Sequence, residues 1–148
     1  MYAEKAKELF EQGYNCAQAV FCAFSDIMGM DEKTALKISS SFGGGLGRLR
    51  EVCGAVSGAA MVLGALYGYD DPNDNQIKKE HYARIQTLAG DFKGKNGSYI
   101  CKELLGLKEI ENSPVPTQRT ESFYKKRPCS ELVFEAASIV EEYINHNK

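Results

Sequence analysis

The sequence predicts an all-α fold: a compact bundle of about five to seven helices packed around a glycine- and alanine-rich central helix. Three observations carry this. Val, Ile and Thr together supply only 19 of 148 residues, few strand formers for a sheet. Apolar residues recur at helical spacing in one segment after another. The 18 residues from Val52 to Tyr69 hold no charge and mix glycine and alanine with aliphatic side chains, as suits a helix buried on most sides. The length fits one domain over residues 1–148, with no repeat, low-complexity tract or internal boundary.

In chain order, Ala3 to Glu11 reads as a short polar helix with Leu9 and Phe10 on one side, ended by Gly13. Asn15 can cap a second helix running to about Met28, with Cys16, Val20, Ala23, Phe24 and Ile27 as its stripe. Asp31 can cap a third through Ser39, with Ala35, Leu36 and Ile38 inward. Ser40 to Gly47 (SSFGGGLG) is too glycine-rich for a helix interior. The central helix follows over about Val52–Tyr67, and Asp70 to Asp74 forms a turn. A fifth helix spans about Gln76–Phe92 on Ile77, Ile85, Leu88 and Phe92, and Gly94 to Gly97 ends it. Ser98 can cap a short helix Tyr99–Leu105. Glu109 to Thr120, with Pro114 and Pro116, reads as a surface loop, and a last helix covers about Ser130–Asn145.

The formal charge of −2, from 18 basic and 20 acidic residues, argues against nucleic-acid binding, which needs a basic stripe. Val52–Tyr69 has the minimum length of a membrane span, but Gly54, Gly58, Gly64 and Gly68 interrupt it and strong aliphatics are few; the buried-helix reading is preferred. The first residues show neither an apolar signal core nor twin arginines, so the expected compartment is the cytoplasm. Thiols stay reduced there, and five cysteines beside only two histidines point to metal binding or redox chemistry rather than structural disulfides.

Against the expected helix boundaries, the cysteines sort themselves. Cys16 follows the cap Asn15, Cys53 opens the central helix, Cys101 sits in the first turn after Ser98, and Cys129 precedes the last helix. A helix N-terminus offers unsatisfied N–H groups and partial positive charge, which favour the thiolate. The thiolate is the nucleophile of disulfide exchange and the ligand form for zinc and iron–sulfur clusters. Cys22 lies inside a helix, about 240° around the axis from Cys16, and is expected to be a bystander. No Cys-x-x-Cys occurs, and the spacing matches neither zinc knuckles nor ferredoxin runs, so any centre must be assembled by the tertiary fold.

The glycine loop lacks the features of a dinucleotide or phosphate cradle; Gly43, Gly44, Gly45 and Gly47 are better read as letting the backbone approach something closely. Arg48 and Arg50 beside it could balance an anionic centre or be solvated charges. His81 shares a face with Ile77, Ile85, Leu88 and Phe92, within an arc of about 80°, as expected of a buried, hydrogen-bonded core histidine.

Three stretches then carry a resemblance: Gly13-Tyr14-Asn15-Cys16-Ala17-Gln18-Ala19-Val20, Phe42-Gly43-Gly44-Gly45-Leu46-Gly47 and Val52-Cys53-Gly54-Ala55-Val56-Ser57-Gly58. With Cys101-Lys102-Glu103-Leu104-Leu105-Gly106 and Cys129 before a helical tail, the chain from about Glu4 to Ile144 resembles the C_GCAxxG_C_C family of redox-active proteins. The order here is Cys-Gly-Ala-x-x-Gly rather than the Gly-Cys-Ala of the label. The resemblance implies a redox centre of Cys16, Cys53, Cys101 and Cys129, the set already selected by helix ends.

The expectation is an electron-transfer protein or oxidoreductase component working with a redox partner protein, a homodimer being a further possibility. Its centre would be an iron–sulfur cluster on the four cysteines, [2Fe–2S] favoured, with Gly43, Gly44, Gly45, Gly47 and Gly54 around it. The alternatives are a metal-free dithiol/disulfide couple and a zinc-stabilised helical interaction module without redox chemistry.

Overall fold

The computed structural model describes residues 1–106 and 113–148. The chain is all-α. In order come α1 (Tyr2–Glu11), α2 (Cys16–Ala23), α3 (Ser25–Met28), α4 (Glu32–Ser39), a 3-10 turn (Ser40–Phe42), α5 (Gly54–Tyr67), α6 (Asn75–Asn96), α7 (Cys101–Leu104), α8 (Glu121–Lys126) and α9 (Cys129–His146). Among these, α1, α2, α4, α5, α6 and α9 have eight residues or more, which agrees with the expected five to seven helices.

The glycine- and alanine-rich helix α5 is central, packed against α2, α6 and α9, while α1 closes the core against α2 and α9. Its glycines set the closest contact. A Cβ at Gly58 would stand 2.8 Å from the Ala17 carbonyl oxygen and 3.2 Å from Val20 Cβ. One at Gly54 would stand 2.9 Å from the Phe42 carbonyl oxygen and 3.3 Å from Cys16 Cβ. The start of α5 is thereby laid against the start of α2. No helix among the described residues is long and apolar enough to cross a membrane.

Several expected boundaries move. The second helix does not run to Met28: it breaks at Phe24 (φ −102°, ψ 12°), whose buried ring stacks on Tyr2 at 4.6 Å. The break turns Ile27 to solvent, and Ile38 and Ile77 are likewise exposed rather than core-facing. The central helix begins at Gly54, because Val52 is spent in an antiparallel bridge with Ile100. Helix α6 runs through Gly90 and Gly94 and stops only at Gly97, whose left-handed backbone (φ 88°) lets its N–H reach the Lys93 carbonyl at 2.7 Å. Glycine inside a helix costs only about 1 kcal/mol, so it does not end one unaided. Ser98 caps no helix; its hydroxyl accepts from the Ile100 N–H, and α7 starts at Cys101. Of the expected loop Glu109–Thr120, residues 109–112 lie outside the described residues. The helix α8 that follows, capped by Thr120 accepting from the Phe123 N–H, was not expected.

Candidate functional site

The four expected cysteines all stand at helix starts. Cys16, Cys101 and Cys129 are the first residues of α2, α7 and α9, and Cys53 is the N-cap of α5. Local chemistry fixes each start. Asn15 and Gln18 form a reciprocal capping box on α2, side chain to backbone in both directions. Around the bridge of Val52 with Ile100, the Cys53 N–H donates to the Tyr99 carbonyl (2.8 Å) and the Cys101 N–H to the Glu51 carbonyl (2.6 Å). That ladder ties two cysteines 48 positions apart into one unit.

The glycine loop closes over them. Gly44, Gly45, Leu46, Gly47 and Arg48 all have left-handed φ between 53° and 73°, and Arg50 has 63°. The run is held by long backbone bonds, among them Gly47 N–H to Ser41 (2.8 Å), Arg50 N–H to Gly44 (3.0 Å) and Glu51 N–H to Gly45 (2.9 Å). A Cβ at Gly45 would meet Cys101 Cβ at 2.8 Å, and one at Gly43 would collide with the Asn15 side chain. The close approach expected of this loop is therefore to Asn15 and Cys101.

All four cysteines line one cavity of about 640 Å³, together with Gly43, Gly44, Gly45, Gly47 and Gly54. Cys22 does not: it is buried in the core on α2, where burial raises its thiol. All five cysteines are free thiols.

Arginines supply the charge on the wall. Arg50 is 3% exposed, with Nη1 3.8 Å from Cys101 Sγ. Arg48 donates from Nη1 to the carbonyls of Ser113 and Val115 and from Nη2 to Thr117 Oγ1 (2.6 Å), strapping that segment across the cavity. Arg119 donates to the carbonyls of Phe10 (2.8 Å) and Tyr14 (2.9 Å) at the end of α1, its guanidinium 4.1 Å from the Phe10 ring. Arg127 lies 5.0 Å over the Phe123 ring. Sequence reasoning missed Arg119 and Arg127; the available signal was Arg127 two positions before a cysteine that opens a helix.

The thiols do not behave alike. Cys16 donates to Cys129, which raises Cys16 well above the ordinary thiol range and lowers Cys129, itself also near Arg127, Arg119 and Arg50. Burial pushes Cys53 up to about 12 against the pull of the Ala55 and Val56 amides. Burial also raises Cys101, opposed by Arg50. The helix-end argument expected four lowered thiols; desolvation of the charged form outweighs the helix field at Cys53 and Cys101, and at Cys16 the hydrogen bond with Cys129 does so, with burial second. No three His, Cys, Asp or Glu side chains among the described residues are gathered closely enough to hold a single metal ion.

His81 is a core histidine as expected. Its Nδ1 accepts from Arg84 Nη1 at 2.8 Å, and burial with the neighbouring guanidinium lowers its pKa. It is not part of the cysteine cavity.

The chain is thus a helical protein with four cysteines at helix starts around one arginine-lined cavity. The pattern of the family described as "Putative redox-active protein (C_GCAxxG_C_C)" matches residues 14–143, and the chain belongs to that family. Neither the curated proteins nor the solved structures include a match to it.

Proposed function

We propose that Cys16, Cys53, Cys101 and Cys129 form one redox centre, and that the chain, acting as a single domain, passes electrons to and from a partner protein. The observation that supports this is the gathering of the family's four cysteines on the wall of one cavity while the fifth, Cys22, packs elsewhere. Four thiols around a cavity, rather than around a point, suit a polynuclear [2Fe–2S] cluster better than a single zinc ion. Such a cluster would be held by these four cysteines and would supply one-electron transfer. The chain's own part is to exclude water by the glycine loop and the Ser113–Thr117 strap, and to set positive charge beside the sulfurs through Arg50 and Arg127. We assign the protein to the cytoplasm, where unpaired thiols persist.

A second reading, a thiol–disulfide couple, is favoured by the Cys16–Cys129 pairing. Cys129 thiolate would attack a disulfide presented by a partner, forming a mixed disulfide and releasing one partner thiolate. Cys16, giving up its proton, would then attack Cys129 Sγ, closing Cys16–Cys129 and releasing the second thiolate. Two electrons pass from the chain to the partner disulfide, and the one proton that Cys16 gives up is released with them.

Anaerobic purification with visible absorption, iron, sulfide and zinc analysis separates the readings. A coloured protein with about two iron and two sulfide supports the cluster. A colourless, metal-free chain that reversibly forms one disulfide supports the couple. A colourless chain with one zinc and no redox titration would refute both.

A further inference from the structure

Arg50 combines burial, backbone strain and a contact to one of the four cysteines. It is 3% exposed, yet charged, and charge is excluded from protein interiors unless something there needs it. Its φ of 63° is one that a glycine would adopt without the steric cost a side chain meets there. Leu46 and Arg48 share this left-handed backbone, but of the three only Arg50 is buried, with its guanidinium beside a cysteine. Its position is set from both sides: the Arg50 N–H donates to the Gly44 carbonyl (3.0 Å), and its carbonyl accepts from the Lys102 N–H (3.3 Å) at the start of α7. The guanidinium so held reaches Cys101 Sγ at 3.8 Å.

We propose that Arg50 is a positioning residue that fixes one positive charge against the Cys101 sulfur and thereby raises the reduction potential of the four-cysteine centre. This rests on the redox reading above. The sign is the same for either form of the centre. A reduced cluster carries one more negative charge than its oxidised form, and the reduced Cys16–Cys129 couple carries the Cys129 thiolate, which the Arg50 charge also favours, where the disulfide carries none. A fixed cation stabilises the reduced side in both cases.

Two measurements test it, with Arg50→Met to remove the charge at similar length and Arg50→Lys to retain it. In the first, the reduced, metal-free chain is alkylated with iodoacetate and with iodoacetamide, and Cys101 is followed by peptide mapping. The ratio of the two rates cancels the thiolate fraction and reports local charge alone. The native parent should show a higher ratio at Cys101 than the urea-unfolded chain. Arg50→Met should lower it about fivefold or more, the factor one unit charge about 4 Å away gives even at water's dielectric constant. Arg50→Lys should restore most of it. Should Arg50→Met fail to fold, Arg50→Gln replaces it, and equal ratios in the native and unfolded parent overturn the proposal in any case. In the second, the midpoint potential of the centre should be more negative in Arg50→Met and close to the parent's in Arg50→Lys. A changed ratio with an unchanged potential overturns the tuning. A changed ratio with no redox couple in any variant sinks the redox reading itself and leaves only the Arg50–Cys101 contact.

Discussion

Adding one methyl group at two glycines of α5 should move stability in opposite directions. At Gly58 the new Cβ would lie 2.8 Å from the Ala17 carbonyl oxygen, 3.2 Å from Val20 Cβ and 3.3 Å from Ala17 Cα. Ala17 and Val20 are fully buried, and the nearest atom is backbone, so relief requires α2 to move off α5. Overpacking of this kind costs about 1–3 kcal/mol. Alanine recovers about 1 kcal/mol of helix propensity, leaving Gly58→Ala about 1 kcal/mol less stable than the parent. At Gly64, two turns on in the same helix, nothing lies within 4 Å of the new methyl group. Gly64→Ala keeps the propensity gain and should be more stable by about 0.5–1 kcal/mol. The two variants should differ by about 2 kcal/mol, roughly 4–8 °C in Tm for a chain of this size. Urea and thermal unfolding of the reduced protein, followed by circular dichroism, measure both. If Gly58→Ala were as stable as Gly64→Ala, α2 and α5 would not meet at Gly58, and the approach that brings Cys16 to Cys53 would be wrong.

Three further outcomes are expected. Cys22→Ser should leave the chromophore or the thiol potential unchanged, whereas serine at Cys16, Cys53, Cys101 or Cys129 should abolish a chromophore, and serine at Cys16 or Cys129 should abolish a thiol couple; spectral and redox titration of the five variants checks this. Because the folded state holds the Cys53 proton up to about 12, the unfolded chain loses that proton first, so this thiol's contribution to stability should be intact below about pH 8.5 and decline as pH rises towards 12. Urea midpoints at pH 8 and pH 10.5, compared with those of Cys53→Ala, isolate it, and identical pH dependence in the two proteins would count against the assignment. Arg48→Ala, which removes the bonds to Ser113, Val115 and Thr117, should speed iodoacetamide labelling of the cavity cysteines several-fold at little cost in stability. Unchanged rates would mean that the strap does not guard the cavity.

Much of the arrangement was legible because it is local. Asn15 before Cys16 is a cap with its Gln18 partner three residues on, and Gly54 and Gly58 are spaced one helical turn apart. The four cysteines could be separated from Cys22 by helix boundaries alone. What was not legible depends on distant partners. Nothing near Val52 announces Ile100, so the bridge that shortens α5 and joins Cys53 to Cys101 was not foreseen. Nothing near Phe24 announces that Tyr2 will stack on it and break α2. Arg119 looked like a loop charge because its acceptors, the carbonyls of Phe10 and Tyr14, are more than 100 positions away. The thiol energetics failed for the same reason: the helix field is readable from sequence, but the Cys16–Cys129 hydrogen bond and the burial of Cys53 and Cys101 are properties of the assembled wall.

The bridge of Val52 with Ile100 divides the four sulfurs into two mechanical halves. Cys53 and Cys101 ride together on the paired backbone, while Cys16 and Cys129 ride on α2 and α9, both braced by α1. The halves meet where Gly54 and Gly58 let α5 lie on α2 and where α5 packs on α9. At Gly58 the approach is close enough that an added Cβ would stand 2.8 Å from the Ala17 carbonyl oxygen, so the two halves are held together by backbone packing. The spacing between the Cys53–Cys101 pair and the Cys16–Cys129 pair is therefore set by the glycines of α5, and a larger side chain at Gly54 or Gly58 would pry the sulfurs apart as it loosens the core.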